Sequence, residues 1–269
     1  MNESPARMGF FTDTSVCIGC KACEVACKEW NLVPDRDRQL SLRSYDNTMR
    51  LDADNWRHVA FIEQTRPISV EVEGDGRAAG QQIRWLMSSD VCKHCTEAAC
   101  LDVCPTGALF RTEFGTVVVQ DDVCNGCGYC VPACPFGVID RREDDGRVWK
   151  CTLCYDRLRG DMEPACAQAC PTESIQFGPL DDLRQRAQAR LEDLHARGLA
   201  EARLYGESSD DGIGGAGAFF LLLDDPDVYG LPPQPVVATR TLADTWRHAV
   251  LASAALVAAA VGVVIGGRR

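Results

Sequence analysis

Apolar residues in this chain come first in short bursts. Ala108-Leu109-Phe110, Val138-Ile139 and Ser174-Ile175-Gln176-Phe177 each predict a short strand. Gly115 and Asp145-Gly146 supply turns before returning strands over 116–120 and 147–150. Two further strand-like runs, 58–63 and 83–87, lie in a long stretch from 31 to 90, with an exposed loop expected over 74–80. The period changes at Leu180, Leu183, Ala187, Leu191 and Leu194, whose helical spacing within a charged segment predicts an amphipathic helix packed on the domain's own surface. Residues 207–217 are polar and glycine-rich and read as a linker before a strand-like run at 219–223. Gly212, Gly214 and Gly217 formally match G-x-G-x-x-G, but Ser-Ser-Asp-Asp precedes them and a strand follows. The motif needs a strand before it and a helix after it, so dinucleotide binding is rejected.

The last apolar run differs from the rest. Residues 249–267 carry no charge, and Ser253 is the polar exception. At about 1.5 Å per residue the run nearly matches the ~30 Å hydrocarbon core of a bilayer. Trp246, Arg247 and His248 precede it and Arg268-Arg269 follow, as interfacial anchors would. Ala254, Ala258, Gly262 and Gly266 form a small-residue stripe at i, i+4 spacing that permits close helix contact in lipid. The expectation is a single-pass anchor in the cell membrane, packed against another subunit. The terminal arginine pair points the C-terminus to the cytoplasm and the remaining domain to the outer face.

Composition narrows the function. The chain has 269 residues, 46% hydrophobic and 25% charged, which excludes a disordered or collagen-like polymer. A net charge of −11 argues against nucleic acid as a partner, since a phosphate-binding surface needs clustered positive charge. Residues 1–15 show neither an apolar signal core nor paired arginines, so independent export is not expected.

The 16 cysteines fall into four groups of four: Cys17, Cys20, Cys23, Cys27; Cys92, Cys95, Cys100, Cys104; Cys124, Cys127, Cys130, Cys134; and Cys151, Cys154, Cys166, Cys170. Each group begins C-x-x-C and ends C-x-x-x-C, and all but the first end in Cys-Pro, with Lys28 in place of proline there. A disulfide framework belongs mainly to short secreted chains, and structural zinc prefers two separated C-x-x-C pairs. The run C-x-x-C-x-x-C-x-x-x-C is instead the spacing of bacterial cluster-binding ferredoxins. Three thiolates in a tight loop each hold one iron of a cube, and the fourth, one helical turn on, projects toward a neighbouring cluster. All sixteen positions are cysteine, so four complete [4Fe–4S] clusters are expected, with every cysteine an iron ligand and no catalytic residue. Gly19, Gly126 and Gly128 let backbone N–H groups approach the sulfurs, and Lys21, Lys93 and Lys150 adjoin cysteines as potential-tuning charges or as ordinary solvated ones. His94 reads as non-ligating. No nucleophile triad, P-loop or H-E-x-x-H is present, which leaves an electron conduit. A zinc-stabilised scaffold and a self-sufficient enzyme are the competing readings.

The stretches Thr14-Ser15-Val16-Cys17-Ile18-Gly19-Cys20-Lys21-Ala22-Cys23 through Lys28-Glu29-Trp30-Asn31, Ser89-Asp90-Val91-Cys92-Lys93-His94-Cys95 through Cys104-Pro105-Thr106-Gly107-Ala108, and Lys150-Cys151-Thr152-Leu153-Cys154-Tyr155-Asp156-Arg157 carry a family likeness. The sequence resembles the iron–sulfur (beta) subunit of membrane-bound formate dehydrogenases. The four-group pattern is shared with subunits of nitrate, dimethyl sulfoxide, tetrathionate and polysulfide enzymes. The resemblance implies an α+β fold of two ferredoxin-like [4Fe–4S] modules with inserted strands and loops, completed by the C-terminal transmembrane helix. Residues 1–178 would hold the clusters (insertion 31–90), 179–245 would supply the amphipathic helix, linker and connecting segment, and 246–269 the anchor. It implies one cluster on Cys17, Cys20, Cys23 and Cys170, and a second on Cys151, Cys154, Cys166 and Cys27. A third would take Cys92, Cys95, Cys100 and Cys134, and a fourth Cys124, Cys127, Cys130 and Cys104. The implied partners are a catalytic alpha subunit with a molybdenum or tungsten pterin site, a membrane cytochrome b (gamma) subunit that reduces quinone, and the lipid bilayer.

Overall fold

A computed structural model describes residues 6–35, 40–42, 45–72 and 76–266. In chain order the elements are β1 (Met8–Asp13), α1 (Ala22–Asn31), β2 (Arg57–Val72), β3 (Gly76–Val91), α2 (Ala99–Asp102), β4 (Leu109–Arg111), β5 (Val117–Val119), α3 (Cys130–Ala133), β6 (Asp140–Arg141), β7 (Val148–Trp149), α4 (Tyr155–Arg159), α5 (Ala165–Gln168), β8 (Ile175–Pro179), α6 (Leu180–Ala196), β9 (Arg203–Tyr205), β10 (Ala218–Leu222), a 3₁₀ turn (Pro226–Tyr229) and α7 (Leu242–Gly266).

A four-stranded sheet, β8-β1-β10-β9, joins the two ends of the chain. β1 pairs parallel with β10 (Phe11 opposite Phe219) and antiparallel with β8 (Phe10 opposite Phe177). Strand alternation sorts its apolar residues onto two faces. Phe11, Phe219 and Leu221 meet Leu180, Leu183, Ala187 and Leu194 of α6, so the predicted amphipathic helix lies on the chain's own sheet. Phe10 faces the other way, into a core shared with Cys23, Cys27, Cys92, Cys151 and Cys166. The sheet is thus the floor under the cysteine loops.

Proline decides the length of the helices between cysteines. Before Cys104-Pro105, Cys134-Pro135 and Cys170-Pro171 the helices α2, α3 and α5 run four residues each, because the residue preceding proline is driven out of the helical region. Where Lys28 stands instead, α1 continues for 10 residues to Asn31.

The insertion is a two-stranded ribbon, β2–β3, in register from Arg57 opposite Val91 to Val72 opposite Gly76. The predicted strands at 58–63 and 83–87 are its inner half. Of the loop expected over 74–80, residues 74 and 75 lie outside the described residues and 76–80 belong to β3. β4–β5 and β6–β7 form the two small hairpins. In the second, pairing begins at Asp140 rather than Val138. Gly137 turns the chain at φ 61°, and the buried Val138 and Ile139 face the cysteine core without ladder partners. The glycine-rich 207–217 segment is a strap: Ile213 and Ala216 are buried, and the Thr96 and Glu97 N–H groups donate to Gly215 O (2.9 Å) and Ile213 O (2.8 Å).

The C-terminal end corrects the expected fold class. α7 forms where a helix was predicted, but among the described residues no helix is long and apolar enough to cross a membrane, so the transmembrane anchor over 246–269 is not borne out. The first turns of α7 carry Asp244, Arg247 and His248, so only the later part of the helix is free of charge. Arg268 and Arg269, from which an orientation was read, lie outside the described residues.

Candidate metal centres

In each of the four groups, the residue just before the second cysteine has a left-handed backbone: Gly19 (φ 64°), His94 (φ 44°), Gly126 (φ 72°) and Leu153 (φ 58°). That conformation curls successive N–H groups inward around a concavity suited to an anion. Glycine adopts it without strain, and at Gly126 a Cβ would come within 2.3 Å of Gly146 O. His94 and Leu153 take the same conformation against their intrinsic preference, held there by burial.

Two cavities lie where groups meet. One is lined by Cys92, Cys95, Cys100 and Cys134, with Val117, Ile139, Phe136 and Lys150 closing it. Cys134, at the C-terminal end of α3, therefore belongs in space with the second group and not with its own loop. The other is lined by Cys17, Cys20, Cys23 and the distant Cys170. Electrostatic proximity brings the remaining thiols together in the same crossed manner. Burial, then Cys166 and Cys151, push the Cys27 thiol up, with Cys154 adding to the rise. Burial raises Cys130 to about 12, with Cys104, Cys124 and Cys127 its near thiols. Electrostatics also links neighbouring sets: Cys166 adds to the rise of Cys23, Cys92 to that of Cys151, and Cys130 to that of Cys100.

All sixteen cysteines are free thiols. Among the described residues no three His, Cys, Asp or Glu side chains converge as they would on a single metal ion. A four-iron cube asks for something different, one thiolate at each of four separated corners. Four thiols around a cavity, inward-curled backbone and buried cations beside them make a donor set that fits such a group.

Those cations are unequal. Lys21 is held outside by Glu24 (3.2 Å) and Asp46 (3.4 Å). Lys93 is buried, donating to Val91 O (2.9 Å) and to Asp90, with its ammonium over the Phe136 and Phe220 rings. Lys150 is fully enclosed and donates to the carbonyls of Val117 and Cys151. Burial lowers its pKa, but Cys92, Cys100 and Cys151 outweigh that and hold it above the ordinary lysine value. His94 accepts the Val117 N–H at Nδ1 (3.1 Å), which puts its proton on Nε2, and burial among cations keeps it neutral.

Three residues escaped the sequence reading. Asn31 donates to Cys27 O (2.8 Å) and stands 3.7 and 3.8 Å from the sulfurs of Cys27 and Cys154, a position it reaches only because α1 is long. Ser89 Oγ lies 3.2 Å from Cys23 Sγ. Arg57, buried at the start of β2, faces thiols of two sets. The Cys-Pro-Thr repeat carried a readable signal: Thr106 and Thr172 hydroxyls stand 3.7 and 3.8 Å from Cys104 and Cys170.

Burial above all lifts Cys23 and Cys154 to about 11 and Cys100 to about 12, so near neutral pH these thiols are protonated before they ligate. Each must release a proton to bind iron, and affinity then rises with pH until the folded pKa is reached. Competition against an iron chelator is expected to favour the protein at least about tenfold more at pH 8 than at pH 7. Retention that is flat, or that falls with rising pH, would contradict this.

Comparison with known proteins agrees with this geometry. Two models described as "4Fe-4S dicluster domain" match residues 16–108 and 83–180. The formate dehydrogenase iron–sulfur subunit of Haemophilus influenzae is 41% identical over 84% of this chain and 68% of its own length. The nitrate-inducible formate dehydrogenase iron–sulfur subunit of Escherichia coli is 37% identical over 98% of this chain and 85% of its own. The B subunit of the anaerobic dimethyl sulfoxide reductase of Escherichia coli is 36% identical over 67% and 77%.

Proposed function

Because the chain belongs to the family of formate dehydrogenase iron–sulfur subunits and carries four [4Fe–4S] clusters, we propose that it is the wire between a formate-oxidising catalytic subunit and a quinone-reducing membrane subunit. It is an electron-transfer subunit with no catalytic site of its own. The catalytic partner carries a molybdenum or tungsten pterin, and the acceptor is a cytochrome b. The clusters supply one-electron redox chemistry when bound. The chain's residues fix where that happens: Cys17, Cys20, Cys23 and Cys170 hold the first centre and Cys151, Cys154, Cys166 and Cys27 the second. Cys92, Cys95, Cys100 and Cys134 hold the third, and Cys124, Cys127, Cys130 and Cys104 the fourth. Residues 1–178 form this holding domain, and 179–245 brace it through α6 and the strap.

One observation carries the reading. The two exposed cysteines, Cys20 and Cys127, belong to the first and fourth sets and all four thiols of the second set are buried, while electrostatics couples the first set to the second, the second to the third and the third to the fourth. A buried second set between more accessible ones is what a relay needs. α7 supports a further contact: Leu242, Trp246, Val250, Leu256 and Val257 are all exposed, a surface that a partner subunit covers.

Formate added without oxygen to the intact complex is expected to reduce the centres of this chain, seen as new paramagnetic signals. The chain purified alone is expected to oxidise no formate. Turnover by the isolated chain would overturn the assignment, as would a co-purifying large subunit that acts on another substrate.

A further inference from the structure

Arg57 is a cation in a place that normally forbids one. Its side chain is 2% exposed, and among the described residues no carboxylate lies within ion-pair distance of it. Nη1 donates to Ser89 Oγ at 3.0 Å, and the guanidinium lies over the Phe10 ring at 4.9 Å. Nε and Nη2 are buried, and among the described residues no atom accepts from them. Two orphaned donor nitrogens on an unpaired buried charge are strongly destabilising unless a compensating anion is present. Four thiols act on the guanidinium electrostatically: Cys166, Cys151 and Cys27 from the second set and Cys23 from the first. Burial alone would lower its pKa, and these thiols raise it instead, so the charge stays. Arg57 also reaches Cys23 indirectly, since Ser89 Oγ, which accepts from Nη1, lies 3.2 Å from that sulfur.

We propose that Arg57 is the shared counter-ion of the first and second clusters, its free Nε and Nη2 donating toward their sulfurs, and that it sets both reduction potentials together. This rests on the ligand sets proposed above. Reduction adds one electron to a centre and neither makes nor breaks a bond. The guanidinium keeps its protons throughout, so no proton accompanies the electron. A fixed positive charge favours the more negative, reduced form of whatever lies beside it. Because one group serves both centres, it raises them in parallel and keeps their difference small, which a reversible step between neighbours needs.

The test is a redox titration of the whole complex, followed by electron paramagnetic resonance, with Arg57→Met and Arg57→Lys. In Arg57→Met, two of the four centres are expected to become harder to reduce by at least about tenfold in equilibrium constant, or about 59 mV for one electron. The other two stay in place, and Arg57→Lys shows the smaller fall. Four intact centres with unmoved potentials would overturn the role of Arg57 while leaving the ligand sets standing. A shift confined to one centre would also overturn it. An iron content that does not match four cubes in the unaltered chain would instead sink the ligand sets. If Arg57→Met cannot hold its iron, pulsed resonance on the unaltered chain with ¹⁵N-guanidino arginine decides. Coupling to two centres supports the proposal, and coupling to none rejects it.

Discussion

Cys134→Ala removes a cluster from someone else's loop. The residue ends the third group in sequence, but its side chain lines the cavity of Cys92, Cys95 and Cys100. The expected loss is one cube, taking the chain from about sixteen irons to about twelve. A second change at Cys92 should cost no further iron, because both residues serve the same centre, whereas a second change at Cys124 should remove another cube. If groups held their own clusters, the two double variants would exchange these results. The functional effect is larger than the loss of a quarter of the iron. In the proposed relay the third set couples the second to the fourth, so its loss interrupts the path and formate-dependent reduction beyond it is expected to fall to background. Iron analysis and formate-driven reduction of the complex check both outcomes.

Phe219→Ala is expected to cost about 3–5 kcal/mol of stability, the range for deleting a buried phenylalanine ring. Phe219 is fully buried in β10 and stacks on Phe11 of β1 with ring centroids 5.3 Å apart. β10 holds β1 in parallel register, and β1 leads straight into the first cysteine loop, so loosening this pair also loosens the floor under Cys17. Denaturant unfolding of the holo-chain measures the loss, and a change below about 1 kcal/mol would show that the sheet is not what braces the loops.

What was legible in the sequence was local. The cysteine loops, the proline stops after Cys104, Cys134 and Cys170, and the α6 stripe are short-range patterns, each set by residues within one or two turns. The pairing of β1 with β10 was not legible, because the hydrogen bond from Thr14 to Leu221 closes a separation of 207 residues and neither strand names its partner. Burial was equally opaque. Lys21 and Lys93 both adjoin cysteines, but Lys21 meets Glu24 and Asp46 at the surface while Lys93 is enclosed by two aromatic rings. Arg57 carries no local signal, because the thiols that act on it, Cys166, Cys23, Cys151 and Cys27, come from two distant stretches of the chain. The C-terminal run read correctly as helix, but a helical pattern and a membrane-spanning length are separate properties, and among the described residues the second is missing.

Iron and acid-labile sulfide counted per chain in the purified complex, after subtraction of the partner subunits' share, test the central claim most directly. Four complete cubes on 16 cysteines predict about sixteen of each per chain, with a broad visible absorption that bleaches on reduction. Zinc in their place, with no sulfide released by acid and no absorption to bleach, would contradict it.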